Sequence, residues 1–107
     1  MISEAAYAKK VMKALAQMPE VLFATRVESG SVSPGIPDVF FLCGGTPVWL
    51  ELKKMDGKIR PSQKIWHGQY RKAGGYVFLA RPQKERETIP GIKDYLRQLI
   101  KEQLDAD

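Results

Sequence analysis

Asp38-Val39-Phe40-Phe41-Leu42-Cys43-Gly44-Gly45-Thr46-Pro47-Val48-Trp49-Leu50-Glu51-Leu52-Lys53 decides the fold of this chain. Two apolar runs, Asp38 to Cys43 and Thr46 to Lys53, flank Gly44-Gly45. A tight two-residue turn needs positive φ, which glycine supplies without steric penalty, so the stretch predicts a β-hairpin. The turn also sets the register. Cys43 closes against Thr46, and counting outward puts 42 against 47, 41 against 48, 40 against 49, 39 against 50, and Asp38 against Glu51. Side chains alternate faces along a strand, so Glu51 and Lys53 point one way while Leu50 and Leu52 point the other. Asp38 and Glu51 are then a close, non-hydrogen-bonded pair with Cβ atoms about 4.5–5.5 Å apart. Pro47 agrees with this register, because its missing N–H costs the hairpin nothing at a non-hydrogen-bonded site.

Two carboxylates that close repel each other unless a cation lies between them. Hard oxygen donors select Mg²⁺ or Mn²⁺ over zinc and leave room for water and phosphate. Such an ion polarises a phosphodiester and lowers the pKa of a bound water. Lys53, on the same face, is suited to hold the attacking water or to offset charge building on phosphate. Two nearby carboxylates favour that electrostatic help over general-base action. The competing reading makes Glu51 and Lys53 a solvated salt-bridging face and Asp38 a turn residue, since Asp-x(12)-Glu-x-Lys is a spacing that also arises by chance.

Working outward, Ser3 is expected to cap a helix whose apolar positions Ala8, Val11, Met12, Leu15 and Met18 recur at helical spacing, with Pro19 ending it. Val21 to Glu28 reads as a strand, and Ser29 to Pro37, rich in Gly, Ser and Pro, as a loop. Lys54 to Arg60 is a polar loop turning at Asp56-Gly57. A second helix begins at Pro61 or Ser62 and runs to Ala73, with Ile65, Trp66, Gln69, Tyr70 and Ala73 on one face. Gly74-Gly75 stops it. Tyr76 to Ala80 reads as a buried strand. Pro90-Gly91 opens a last helix with Ile92, Tyr95, Leu96, Leu99 and Ile100 inward. Helix, three strands, helix, strand, helix is an α/β order. The helix between the third and fourth strands predicts a crossover, hence a mixed sheet of about four strands flanked by helices.

The 107 residues fit one domain, 1–107, and 44% are hydrophobic, enough for a core. So small a domain buries a limited share of its surface, which favours dimerisation. With 17 Lys and Arg against 12 Asp and Glu, the net charge is +5, which fits nucleic acid as a partner as well as it fits plain solubility. The single cysteine, Cys43, excludes an intramolecular disulfide and a cysteine zinc cluster and suits a reducing, cytoplasmic setting. The start lacks signal-peptide features, and no apolar run approaches the roughly 20 residues that span a bilayer, so no membrane association is expected.

Several motifs occur in a telling order: Arg26-Val27-Glu28-Ser29-Gly30, Gly35-Ile36-Pro37-Asp38, Trp49-Leu50-Glu51-Leu52-Lys53, Gly57, Pro61-x-Gln63-x-x-Trp66-His67 and Gly74-Gly75-Tyr76. Together they resemble the VRR-NUC family, a branch of the PD-(D/E)XK nucleases, in its compact stand-alone form known from bacteriophages. The resemblance implies a restriction-endonuclease-like core and a divalent-metal-dependent DNA endonuclease. It implies a metal site, for Mg²⁺ or Mn²⁺, from Asp38, Glu51 and the backbone carbonyl of Leu52, with Lys53 catalytic and Gln63 beside the site. Glu4 matches an acidic residue that often completes it. Compact members resemble Holliday-junction resolvases, which implies a homodimer acting on branched DNA in the cytoplasm of a bacterial or phage-infected cell. Alternatives are a nicking or flap nuclease without junction preference, and a basic DNA-binding module without turnover. Glu28, where relatives often carry Asn, and Arg60, where Ser or Thr commonly caps the second helix, depart from the pattern.

The remaining residues are weighed against plainer roles. Glu4 is also a favourable charge in a first helical turn. Gln63 is otherwise a surface residue whose amide donates to nothing in particular. His67, the only histidine, reads as a residue for packing or a solvent hydrogen bond rather than a general base. Arg26, Lys54, Lys58, Arg60 and Lys64 are candidates for phosphate contacts, against a solvated loop or, for Arg26, a salt bridge with Glu28. Trp49 and Trp66 read as core or dimer interface, and Phe41 with Trp49 as residues that a second subunit would cover.

Overall fold

The computed structural model describes residues 2–27, 35–82 and 87–105. Three helices, α1 (Glu4–Ala16), α2 (Pro61–Lys72) and α3 (Ile89–Asp105), accompany four strands, β1 (Val21–Arg26), β2 (Val39–Cys43), β3 (Thr46–Leu52) and β4 (Tyr76–Ala80). The strands form one sheet in the order β1-β2-β3-β4. β1–β2 and β2–β3 are antiparallel, and β3–β4 is parallel. The sheet is therefore mixed, as the element order predicts, and α2 makes the crossover.

The hairpin forms in the expected register, from Cys43↔Thr46 to Val39↔Leu50. Gly44 and Gly45 have φ of 56° and 84°, the positive values that a two-residue turn requires. The ladder stops one pair short of Asp38 and Glu51, and Asp38 instead uses its main chain and side chain separately. Its carbonyl accepts from Val27 N at 2.6 Å, and its Oδ2 accepts from Leu52 N at 2.8 Å. Glu28 and the first part of the expected Ser29–Pro37 loop, residues 28–34 together, lie outside the described residues.

One sheet face carries the core. Val39, Phe41, Val48, Leu50, Leu52, Phe78 and Ala80 point to it and meet Tyr7, Val11 and Leu15 of α1 and Ile92, Leu96 and Ile100 of α3. Burying each large apolar side chain stabilises by about 1.5–3 kcal/mol. Phe41 is wholly inside this core, so it is not the residue for a second subunit to cover. Ser3 caps α1 through a bond from Ala6 N to Oγ, and Thr88 caps α3 through Gly91 N.

α2 lies over the opposite face, and its buried side differs from expectation. Ile65 is 61% exposed, and Gln69 and Ala73 are exposed too, whereas Gln63 and His67 are buried. Trp66 and Tyr70 stack at 4.8 Å, and Trp66 meets Trp49 edge-on at 5.7 Å. The helix thus presents 63, 66, 67 and 70 to the sheet, a proper helical stripe, but with polar residues at its centre. It ends in a Schellman motif, with Gly75 N bonded to Tyr70 O and Gly74 N to Arg71 O. On the outer edge of β4, Arg71 donates to the Val77 carbonyl through both Nε and a terminal nitrogen. β1 was expected to run without interruption, but it carries a bulge between Leu22 and Thr25, with Phe23 at φ 56° and 73% exposed.

Gly35 has φ 88° and sits so close to the Ser62 carbonyl that a Cβ would overlap main-chain atoms, with Trp66 Cβ also near at 3.1 Å. Gly44 has positive φ but open space around it. Gly35→Ala is expected to lower unfolding free energy by about 2 kcal/mol or more, combining strain and overlap. Gly44→Ala is expected to cost about 1 kcal/mol from strain alone. Urea denaturation of both variants checks the order.

Candidate functional site

Asp38 sits where the chain enters β2. The segment from Gly35 is packed on the start of α2, and Pro37 is buried behind it. The bond from Leu52 N–H fixes its carboxylate at the end of β3. Glu51, one residue earlier on β3, is 1% exposed. Strand alternation turns it away from the apolar core and under α2, where His67 Nε2 stands 3.5 Å from its Oε1. Neither of these two atoms has a hydrogen-bond partner.

The electrostatics follow from this burial. Loss of water raises the Glu51 carboxyl most. A side-chain hydrogen bond with Asp38 and the Asp38 charge raise it further, Lys53 partly offsets them, and Glu4 adds a last small push. The result is a pKa of about 9, so Glu51 carries a proton at neutral pH. Burial lowers the His67 pKa, with the charges of Arg71 and Lys53 adding to it against Asp38, so its imidazole is neutral. Both shifts favour the uncharged forms at the Glu51–His67 contact.

Asp38, Glu51 and Lys53 are therefore together at one end of the hairpin, and the Leu52 peptide is held among them. Lys53 is buried, and its N–H bonds to the Ala80 carbonyl, which anchors it to β4. Gln63 is buried on the same stripe of α2 as His67, one turn earlier, but its Oε1 accepts from Arg60 N at 2.9 Å. The side-chain cap that Arg60 does not supply is thus answered from Gln63, whose amide nitrogen remains its donor end. Glu4 is exposed, near enough for its charge to reach Glu51. Arg26, Lys54, Lys58, Arg60 and Lys64 are all exposed, and Lys54 pairs loosely with Asp56 at 3.8 Å. Arg81 donates to the Lys54 and Gly57 carbonyls, which fixes the loop after β3. His67 was assigned to packing, and it is buried, but against Glu51. Its spacing of four from Gln63 is the signal that could have placed it there.

Among the described residues, no three side chains of His, Cys, Asp or Glu are grouped to hold an ion. The donor set available is two carboxylates and a main-chain carbonyl. It is made of hard oxygens, and it includes a carboxyl that burial first, and Asp38 beside it second, favour in its protonated form. That feature fits a small divalent cation, which would replace the proton between the two carboxyls.

A mixed four-stranded sheet with an Asp and a Glu-x-Lys pair at one end defines an α/β class with a buried acidic centre. No protein-family model matches the chain, and no curated protein matches its sequence. Among solved structures, a chain described as a VRR_NUC domain is similar, with a TM-score of 0.65 and 21% sequence identity over 88% of this chain and 94% of that one. The fold is thus that of a VRR_NUC domain, the fold that the motif order implies.

The raised Glu51 pKa has a signed consequence. Above the ordinary carboxylate value of 4.5, the unfolded chain releases a proton that the folded protein keeps up to about 9. Stability from this proton is fully present below 4.5 and is lost as pH rises toward 9. The lowered His67 pKa acts only on the acidic side of its ordinary 6.5, where falling pH destabilises. Metal-free protein is therefore expected to lose thermal stability between pH 7 and pH 9, and Glu51→Gln is expected to flatten that slope. Calorimetry across the interval in EDTA checks it, and identical slopes for both proteins would refute it.

Proposed function

We propose that this chain is a divalent-metal-dependent nuclease domain that hydrolyses DNA phosphodiester bonds. The observation that carries the proposal is the buried Glu51 carboxyl pressed against Asp38, with Lys53 on the same strand, in the fold of a VRR_NUC domain. Asp38, Glu51 and the Leu52 carbonyl would hold Mg²⁺ or Mn²⁺, with Glu4 at the margin. When bound, the ion polarises the phosphodiester and makes a bound water more acidic.

The protein's own groups supply the rest. Asp38 commits Oδ2 to Leu52 N–H, and its side chain also meets the Glu51 carboxyl, so a cation would take the place of the proton the two carboxyls share. To serve as a ligand Glu51 would have to release the proton that burial and Asp38 favour, so cation affinity is expected to increase as pH rises above neutral. Lys53 offsets the negative charge that develops on the phosphate. The Gln63 amide nitrogen is suited to donate to a ligand carboxylate or to phosphate. Arg26, Lys54, Lys58, Arg60 and Lys64 bind the DNA backbone, which gives affinity without sequence preference.

The substrate reading is a four-way junction cut by a homodimer, since a two-fold pair of sites suits a two-fold substrate. What supports a dimer is β1, an edge strand with exposed Leu22 and Phe23. A chain acting alone would instead nick or trim without junction preference.

End-labelled junction, flap, duplex and single-stranded DNA, incubated with Mg²⁺, Mn²⁺ or EDTA, test this. Wild type is expected to cut only with metal, and Lys53→Ala or Asp38→Asn to lower the rate by about 10²-fold or more. Paired symmetric cuts confined to the junction support the resolvase reading, and equal cutting of all substrates removes it. Binding without cutting under any metal leaves a DNA-binding module and refutes the nuclease.

A further inference from the structure

The Glu51 carboxyl has two distinct sides. Its Oε1 faces His67 Nε2 at 3.5 Å and has no hydrogen-bond partner. Its side-chain hydrogen bond is with Asp38, so it is the other oxygen that turns toward Asp38. His67 therefore stands behind the carboxyl, across from the face on which a cation would sit. It is 2% exposed, and its Nε2 is buried without a partner. Two unpartnered buried polar atoms facing each other are costly, and a fold keeps such a pair where another state satisfies it. The state that satisfies this pair closes the 3.5 Å separation and brings the imidazole N–H onto Oε1.

We propose that His67 is a positioning residue for the cation site. Its Nε2–H supports Glu51 Oε1 from behind and holds the other carboxylate oxygen toward Asp38. This rests on the reading of Asp38 and Glu51 as cation ligands. A ligand carboxylate held by a buried N–H donor binds metal more tightly, and loss of such a donor typically costs about 10–100-fold in affinity. α2 then has a second role besides closing the crossover. Gln63 fixes the start of the helix through Arg60 N, and His67, one turn on, is delivered to Glu51 by the same register.

Mn²⁺ titration by calorimetry, without DNA, tests it on the full chain as wild type, His67→Leu and His67→Gln, with melting temperatures measured in EDTA. His67→Leu is expected to weaken Mn²⁺ binding by about 10-fold or more while melting close to wild type, because it removes one unsatisfied buried atom, Nε2, and breaks no hydrogen bond of Glu51 Oε1. His67→Gln, which keeps an N–H donor near the same place, is expected to recover most of the affinity. Unchanged affinity in His67→Leu, equal loss in both variants, or a His67→Leu protein that melts well below wild type would each overturn the proposal and leave His67 as packing. Wild type that takes up no Mn²⁺ would remove the cation site itself, and this proposal with it. That result is distinct from wild-type binding that His67→Leu preserves.

Discussion

The bond from Leu52 N–H to Asp38 Oδ2 is the constraint on which the rest of this end of the molecule depends. The β2–β3 ladder has already stopped at Val39↔Leu50. Without further pairing, the chain before β2 would splay away from β3. Asp38 prevents this by bonding to two strands at once, through its carbonyl to Val27 beyond β1 and through its carboxylate to β3. A hydrogen bond to a charged group contributes about 1.5–3 kcal/mol. It also fixes the Asp38 carboxylate beside Glu51, so the backbone geometry and the acidic pair share one cause. The glycine turn at the far end of the hairpin only sets the count. Asp38 is what makes the count matter at the site.

The two sheet faces divide the work. Beneath the face that meets α1 and α3, the side chains are apolar and fully buried, and they supply the stability. Under α2 the same sheet buries Glu51, with Lys53, Gln63 and His67 around it. Burying a carboxyl there is unfavourable unless it stays protonated or gains a cation. An apolar residue at 51 would pack at lower cost, so the energetics argue for use rather than for structure. The strain at Gly35 belongs to the same economy, because the segment carrying Asp38 reaches the site only by passing hard against Ser62.

Legibility in the sequence followed the physics of each element. The hairpin was readable because glycine at positive φ fixes a turn and alternation fixes the faces, and five predicted pairs form. β4 and α3 were readable because apolar burial and helical period agree along them. The apolar residues of α2 do not mark its inward face, against the assumption that they should. Ile65 is outside, and Gln63 and His67 are inside, since that face covers a polar centre. The same assumption sent His67 to packing. The bulge in β1 left no trace, because Phe23 at positive φ runs against its residue type and only the pairing with β2 reveals it. Phe41 was offered to a second subunit because a hairpin read alone does not say which helices will cover it.

On the proposed reading, the approach of a phosphate would be governed by what joins the two halves of the site. From Lys53 to Lys64 the sequence carries five basic residues, Lys53, Lys54, Lys58, Arg60 and Lys64, against the single acid Asp56, a local balance of 5 − 1 = +4. This segment links the end of β3 to the first turn of α2. Free N–H groups at a helix start carry partial positive charge as well, so the segment and the helix add rather than oppose. No acidic residue lies in the first turn of α2 to cancel them. Arg81 holds the loop by its carbonyls at Lys54 and Gly57, which leaves the lysine side chains directed to solvent. A buried acidic pair repels an anion, and a cation alone would not bring a long polyanion into line. On the same reading the flanking positive segment would do so from the outside, while the acids stay within. The structure does separate the charges, with Lys54 exposed on the loop where Glu51 and Lys53 are buried on the strand and just after it, and the proposed reading assigns binding to the first and chemistry to the second.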